Sequence, residues 1–414
     1  MDEEKNNSQK KIAVAQLGAR MHYAVPIILN NNSLLSELYT DFYDRFGWFK
    51  KISKIRLFPG NIAKLLKKAA GRRIEDIPAR NIKSDNLLGI HYKLKFMKSE
   101  RSNGAYGMTL AALSSLFASR TANKIAWNNC MGVYAFNTAA LEIFEAAKYN
   151  NSICILEQTM APFIVAQNLE CQEAMRFPEL SIAPRDADAF SVLNDRERRE
   201  WELADYIIAP SNFVKSSLID NGVDKSKIFV IPYGVTQNSG ASLSTKRESK
   251  KGNRLLFVGE VGLRKGVQYI FESYHQLLSM GFIIQMVGAI KVSRIFIEKY
   301  KQIEFLGVLP RSEMSSVYDQ ADILVLPSVC EGSATVIYEA LSRGLKVVCS
   351  YNSGPPNVSN VYVMKDISSK DLIDSILIAS KSDFHIDHGE MEYVSLKGYE
   401  GRIMEFFKKN LEVN

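Results

Sequence analysis

The sequence predicts an α/β protein built from two doubly wound, Rossmann-like domains facing a central cleft. Three observations predict it. Short apolar runs alternate with amphipathic stretches along the chain, one long polar stretch interrupts the alternation, and the alternation then restarts. In the first half, residues 11–17 read as the opening strand, followed by a Gly-Ala-Arg-Met turn and a helix over 25–35. Residues 132–136, 153–156, 206–209 and 228–231 read as further strands, with helices such as 138–148 and 212–219 between them.

Residues 236–253, TQNSGASLSTKRESKKGN, hold one leucine and no aromatic residue and read as a hinge. Beyond it, 254–258, 282–287, 322–326 and 346–349 read as strands, and 267–278 and 334–343 as helices. The boundaries are therefore an N-terminal domain over 1–235, a hinge over 236–253 and a C-terminal domain over 254–394. A last helix within 395–414 is expected to pack back on the N-terminal domain and complete it. In doubly wound sheets ligands lie beyond the carboxyl ends of the strands, and each half supplies such an edge.

With 414 residues, 46% hydrophobic and 23% charged, the chain can bury a large core without staples. No apolar run approaches a membrane span, and the polar start MDEEKNNS shows no signal peptide. Cys130, Cys154, Cys171, Cys330 and Cys349 are scattered and read as reduced thiols, mostly in the core, of a cytoplasmic protein. The net charge is +7, and nine Lys or Arg with no acidic residue fall within 50–73, interleaved with apolar residues. That fits a helix on an anionic inner-membrane surface and equally a solvated helix face. No nucleic-acid motif accompanies the run.

Two stretches carry the chemistry. Residues 324–341, LVLPSVCEGSATVIYEAL, run from a buried strand through a loop with Glu331 and Gly332 into a helix that carries Glu339. Glycine there admits a ligand close to the backbone, and the amides of Ser333, Ala334 and Thr335 are expected to face an anion. Carboxylates are acceptor-only groups suited to the diols of sugars and riboses. Residues 257–267, FVGEVGLRKGV, repeat the strand, glycine-rich loop and helix plan, and Gly259 opens the loop. Arg264 and Lys265 then sit where a diphosphate is neutralised as it leaves. The glycine spacing is neither the dinucleotide fingerprint nor the P-loop.

These two stretches resemble the retaining glycosyltransferases of family 4, which have the GT-B fold. The segments APSNFVKSSL at 209–218 and VIPYGV at 230–235 are similar to that family's approach to its hinge. GARMHY at 18–23 and FNTAALE at 136–142 resemble its bacterial surface-polysaccharide branch. The resemblance implies a sugar transfer from a UDP- or GDP-sugar to a glycan, lipid-linked in O-antigen or capsule assembly, with no metal and no cofactor. Domain 1–235 is then the acceptor-binding domain and 254–394 the nucleotide-sugar-binding domain.

The resemblance also implies roles. Glu331 holds hydroxyls of the donor sugar, Glu339 binds the ribose diol, and Lys265 with Arg264 stabilises the departing diphosphate. Amides after Gly332 hold sugar and phosphate oxygens, Gly18 lets the first loop close on the pyrophosphate, and the backbone near Val308 meets the base. Gly18 is equally readable as a plain strand-to-helix turn. The chain departs from the family at Glu260, where arginine is frequent, and at Glu157-Gln158-Thr159, where histidine is frequent. Front-face transfer, in which the leaving phosphate accepts the proton, tolerates the second change. Arg20, His22, Glu157 and Gln158 are acceptor-side candidates. Two rivals remain: a nucleotide-sugar epimerase of the same architecture, and a non-catalytic scaffold subunit of a polysaccharide assembly complex.

Three polar clusters are read as structural. His385 and His388 lack further ligands for a metal. Asp186 and Asp188 follow Pro184-Arg185 rather than an apolar strand, so they read as helix caps. Glu197 to Glu200 read as a solvated helix face.

Overall fold

The computed structural model describes residues 11–52, 69, 71–99, 105–180, 187–236 and 253–411. They form two sheets. The first contains β1 (Lys11–Gln16), β2 (Leu35–Thr40), β3 (Ile82–Ser84), β4 (Cys130–Phe136), β5 (Ile153–Glu157), β6 (Tyr206–Ala209) and β7 (Ile228–Val230), in the order β3-β2-β1-β4-β5-β6-β7. The second contains β8 (Arg254–Val258), β9 (Ile283–Val287), β10 (Ile303–Gly307), β11 (Ile323–Leu326), β12 (Lys346–Cys349) and β13 (Val361–Val363), in the order β10-β9-β8-β11-β12-β13. The ladders are parallel, for example β1 with β4 and β8 with β9.

Both orders reverse beside their first strand. That places one topological switch between β1 and β4 and another between β8 and β11. Parallel strands are covered on both faces, which is why β11, ILVL, and β12, KVVC, are buried throughout and read as continuous apolar runs. The helix Val267–Ser279 turns Val267, Ile270, Phe271, Tyr274 and Leu277 inward, the spacing of one helical face.

By contacts the chain divides into two compact units. Among the described residues, the first runs to Glu157 and adds the stretch from Ala187 through Ile208. The second holds 158–180 and 209–411. Within the second unit, the closing helix Leu396–Leu411 packs Phe406 on Phe229 and Tyr399 on Tyr233, and Arg402 donates to the Pro232 carbonyl across 2.9 Å. Residues 229–233 precede the expected hinge, and by contacts they and this helix belong to the same, second unit.

Most of the hinge and of the basic segment 50–73 lies outside the described residues. Lys51 and Arg73 are exposed. No helix among the described residues is long and apolar enough to cross a membrane. Cys130, Cys154, Cys330 and Cys349 are buried, and Cys171 is exposed.

The structure corrects one reading of the sequence. Arg196, Glu197 and Glu200, on the helix Ala187–Leu203, are buried and not a solvated face. The Glu200 carboxylate accepts the amides of Thr138, Ala140 and Leu141 at 2.8, 3.0 and 3.2 Å, and Asn137 donates to Glu197 at 3.0 Å. Buried charges persist when they are bonded this fully, and here they fix the loop after β4 at the switch of the first sheet.

Candidate active site

The loops after β8 and β11 leave the second sheet at its switch point, and their side chains meet. Arg264 Nη1 and Lys265 Nζ each lie 2.6 Å from Glu331 Oε1. Lys265 and Glu331 are 13% exposed at the side chain and Arg264 is 29% exposed, so the cluster is shielded but reachable. Burial opposes the Arg264 charge. Glu331, Glu170, Cys330 and Glu260 outweigh it and hold the guanidinium above its ordinary value.

Glycine makes this approach possible. Gly266 has φ +73°, and a Cβ there would stand 1.8 Å from the Pro327 carbonyl oxygen. The two loops are joined by Val329 N–H to Arg264 C=O at 2.9 Å and by Arg264 Nη1 to the Cys330 carbonyl at 3.1 Å. Behind them, buried Glu173 on the helix Phe163–Arg176 accepts Tyr269 Oη at 2.8 Å and Gln268 Nε2 at 2.7 Å. Gln268 also donates to the Leu263 carbonyl at 3.1 Å. Glu173 thereby steadies the short turn Leu263–Lys265, whose last two residues are the cations.

Gly332 is enclosed by three other segments. A Cβ on it would fall 1.9 Å from the Thr159 carbonyl oxygen, and its own carbonyl lies 2.1 Å from a Cβ built on Gly354. The Ser211 hydroxyl donates to that carbonyl at 2.5 Å. The helix that follows is Thr335–Leu341, so it starts two residues later than Ser333. The expectation of three outward amides is corrected at one of them, because Ala334 N–H donates to the Ser353 carbonyl at 3.0 Å. Ser333 and Thr335 have no such backbone bond among the described residues. The Ser333 hydroxyl meets Tyr338 Oη at 2.8 Å and donates to the Gly354 carbonyl at 3.2 Å.

Glu339 stands apart from the ion cluster. Its half-buried carboxylate accepts Tyr318 Oη at 2.7 Å. Burial and this carboxylate push the Tyr318 phenol up from its ordinary value. Gly259 adopts φ +153° as the chain leaves β8, with the Lys265 stem packed over it. Val308, just past β10, is 75% exposed and follows Gly307 at φ +65°.

The remaining candidates are carried by other elements. At the end of β1, Gly18 has φ +85° and donates to Asp41 Oδ1 at 2.9 Å. Met21, exposed His22 and Tyr23 all adopt left-handed conformations at φ 46°, 50° and 64°. Side-chain-bearing residues rarely do so, and a run of them implies stored strain of about 1 kcal/mol or more per residue. Gln16 Nε2 holds the turn by donating to the carbonyls of Gly18 and Arg20 at 3.2 and 2.9 Å. The Arg20 guanidinium lies 5.8 Å from the Phe136 ring centroid. Glu157 is 1% exposed and accepts Tyr134 Oη at 2.5 Å. Gln158 is fully buried and donates to the Met160 carbonyl at 3.0 Å.

Sequence reasoning did not assign roles to Ser211, Thr159, Gly354, Glu173 or Tyr318. Ser211 entered only as part of the segment APSNFVKSSL, and it caps the helix that follows, accepting Val214 N–H at 3.3 Å. The His385 backbone is paired with the Asn360 amide, and Asp387 caps the helix His388–Val394. Structural bonds therefore account for the backbone of that cluster.

Comparison with known proteins bears on the second sheet above all. Residues 252–380 match the family described as Glycosyl transferases group 1. A probable sucrose-phosphate synthase of Thermosipho melanesiensis is 25% identical over 47% of this chain and 50% of its own length. WcaL of Salmonella typhimurium, named as a glycosyltransferase of colanic acid biosynthesis, is 27% identical over 37% of this chain and 41% of its own length. The chain thus spans about half the length of the curated relatives it matches. The solved structure of Anabaena HepE in complex with UDP superposes with a TM-score of 0.55 at 13% identity, covering 96% of this chain and 100% of that one, which shows a shared GT-B fold. The chain accordingly has the GT-B fold, and its residues 252–380 match the glycosyl transferase group 1 family.

Proposed function

We propose that the protein is a retaining glycosyltransferase that moves a sugar from a UDP- or GDP-sugar onto a saccharide acceptor. The observation that carries this reading is Glu331 between Arg264 and Lys265, at the switch point of the second sheet and inside the matched domain. In the free protein the carboxylate neutralises the cations. A bound donor would take the cations with its diphosphate and the carboxylate with its sugar hydroxyls.

In this reading the bond from the anomeric carbon to the diphosphate oxygen breaks. The acceptor hydroxyl bonds to the same carbon from the same face, and the leaving phosphate takes the hydroxyl proton. Arg264 and Lys265 stabilise the charge that develops on the diphosphate, the role a divalent ion fills elsewhere, so no metal is invoked. Glu339 binds the ribose diol beside Tyr318, the Ser333 and Thr335 amides hold sugar and phosphate oxygens, and the backbone at Val308 meets the base. Arg20 and His22 lie on the strained loop after β1, and strain of this kind gathers at ligand-binding sites, so we assign them to the acceptor side, while Gly18, which opens that loop, keeps its donor-side role. The burial of Glu157 and Gln158 fits a supporting role better than contact with an acceptor.

UDP as the donor nucleotide is supported by the UDP held in the HepE structure, and a polysaccharide acceptor by the naming of WcaL. We assign the acceptor to the lipid-linked class used in O-antigen or capsule assembly, met at the cytoplasmic face of the inner membrane through the basic segment 50–73. A thermal-shift panel of nucleotide sugars tests the donor, since a preferred donor raises the melting temperature by mass action. Release of nucleoside diphosphate only when an acceptor is added separates a transferase from an epimerase. No shift with any nucleotide sugar would favour a scaffold.

A further inference from the structure

The first unit contains a cavity of about 430 Å³ beside the loop that follows β2. Phe42 and Phe49, which meet edge to face with centroids 5.4 Å apart, form part of its wall. Ile90 and Leu94, one turn apart on the helix Asn86–Ser99, form another part. The charged residues at the lining are Arg72, which pairs with the carboxylate of Asp41, and Lys93, so the excess of positive charge in the cavity is that of Lys93. Asp41 also accepts the Gly18 amide, which ties the cavity to the loop after β1 at the switch of the first sheet.

The apolar surface does not end at the cavity. Ile90 is 47% and Leu94 53% exposed, and Leu87 continues the same helix stripe at 81%. Lys51, Arg73 and Lys95, each one or two residues along the chain from a lining residue, are exposed. An apolar stripe at helical spacing is ordinarily buried. Left open and flanked by basic residues, it marks a ligand that is itself apolar and anionic. Sugars and nucleotides suit such walls poorly, because their hydroxyls would lose water without gaining hydrogen bonds.

We propose that this cavity holds the hydrocarbon segment next to the phosphate of a lipid-linked acceptor, with Lys93 and Arg72 facing the phosphate. The proposal rests on the reading of the acceptor as lipid-linked and identifies where its lipid is held. It places the saccharide beyond the phosphate, toward the loop that carries Arg20 and His22.

The test titrates dodecyl phosphate, below its micelle concentration, into the full chain and into Ile90→Trp, Leu94→Trp and Lys93→Ala. Both hydrophobic positions are about half exposed, so an indole fills the mouth without disturbing the core. Each buried methylene strengthens binding by roughly fourfold. Dodecyl phosphate should therefore bind at least about a hundredfold more tightly than butyl phosphate, and inorganic phosphate should compete weakly. The indole variants should abolish the chain-length preference, and Lys93→Ala should weaken both alkyl phosphates alike. Equal binding of dodecyl and butyl phosphate, or indole variants that bind dodecyl phosphate as well as wild type, would overturn the proposal. So would indole variants that lose binding only to anionic phosphatidylglycerol vesicles, since the chain would then come from the bilayer. UDP and GDP binding are measured on the same samples. UDP or GDP binding that persists while the lipid preference fails removes this proposal alone, whereas a wild type that binds neither UDP nor GDP removes the transferase reading.

Discussion

The Ser211 hydroxyl donates to the Gly332 carbonyl across 2.5 Å, although 121 residues separate them in the chain. Ser211 caps the helix Asn212–Asp220, and Gly332 follows the acid of the ion cluster, so one buried hydroxyl couples a helix start to the loop proposed to hold the donor sugar. Ser211→Ala should leave the Gly332 carbonyl without that donor and remove the cap, costing about 1–3 kcal/mol of stability. The donor KM should rise roughly tenfold. Urea unfolding alongside donor titration checks both, and Ser211→Thr should restore most of the loss.

Glycine at 332 is set by the Thr159 carbonyl rather than by its own torsions. A Cβ would stand 1.9 Å from that oxygen, so Gly332→Ala must move backbone. The expected outcome is a folded but inactive protein, with unchanged far-ultraviolet dichroism and turnover lowered by roughly a hundredfold or more. Wild-type turnover in this variant would remove the role given to the loop.

Glu331 and the cations should separate kinetically. Glu331→Gln removes the carboxylate that neutralises Arg264 and Lys265 in the free protein. UDP, which carries no donor sugar, should then bind at least as tightly as to wild type, with a steeper dependence on salt, while turnover falls by roughly a hundredfold. Calorimetry at two ionic strengths and a product-release assay check the two halves of this statement.

Glu200 makes stability depend on pH. Burial pushes its carboxyl up to about 7, against the pull of Arg196 and of the Ala140 and Thr138 amides. An unfolded glutamate titrates near ~4.3. Between these values the folded chain holds a proton that the unfolded chain has released, so stability contributed by this group is lost as pH rises from about 4.3 through about 7. Glu200→Gln cannot titrate and should gain stability relative to wild type over that window. Denaturant midpoints at pH 5 and pH 7.5 decide it, and a constant difference between the two proteins would contradict the assignment.

Tyr318 holds the Glu339 carboxylate, and the account gives that carboxylate the ribose. Glu339→Ala should erase discrimination between UDP and its deoxyribose analogues, while Tyr318→Phe should only weaken it. Equal discrimination in wild type and Glu339→Ala would move the ribose elsewhere.

β8, β9, β11 and β12 were legible because parallel strands covered on both faces leave unbroken apolar runs such as LLFV and ILVL, whereas the outer strands β10 and β13, only partly buried, were not read. β2, LSELYT, went unread beyond Leu35, which closed the expected helix, because Ser36 and Glu37 interrupt its pattern. Only the structure shows Glu37 pairing with Lys83 and accepting from Tyr39. Glu331, Arg264 and Lys265 were legible because each lies in the loop or turn that follows a strand, so sequence alone places them at one sheet edge. Glu200 was not. Its partners lie about 60 residues away, and a charged helix residue reads as solvated until those amides are known. Ser211, Thr159 and Gly354 were silent for the same reason, since their contacts with Gly332 join segments distant in the chain.

The central claim is that Arg264 and Lys265 form the seat of a nucleoside diphosphate. Calorimetric titration of UDP into wild type and into the Lys265→Ala chain tests it most directly. The account predicts saturable 1:1 binding to wild type and affinity at least about a hundredfold weaker in the variant. Equal affinity in the two proteins would contradict it.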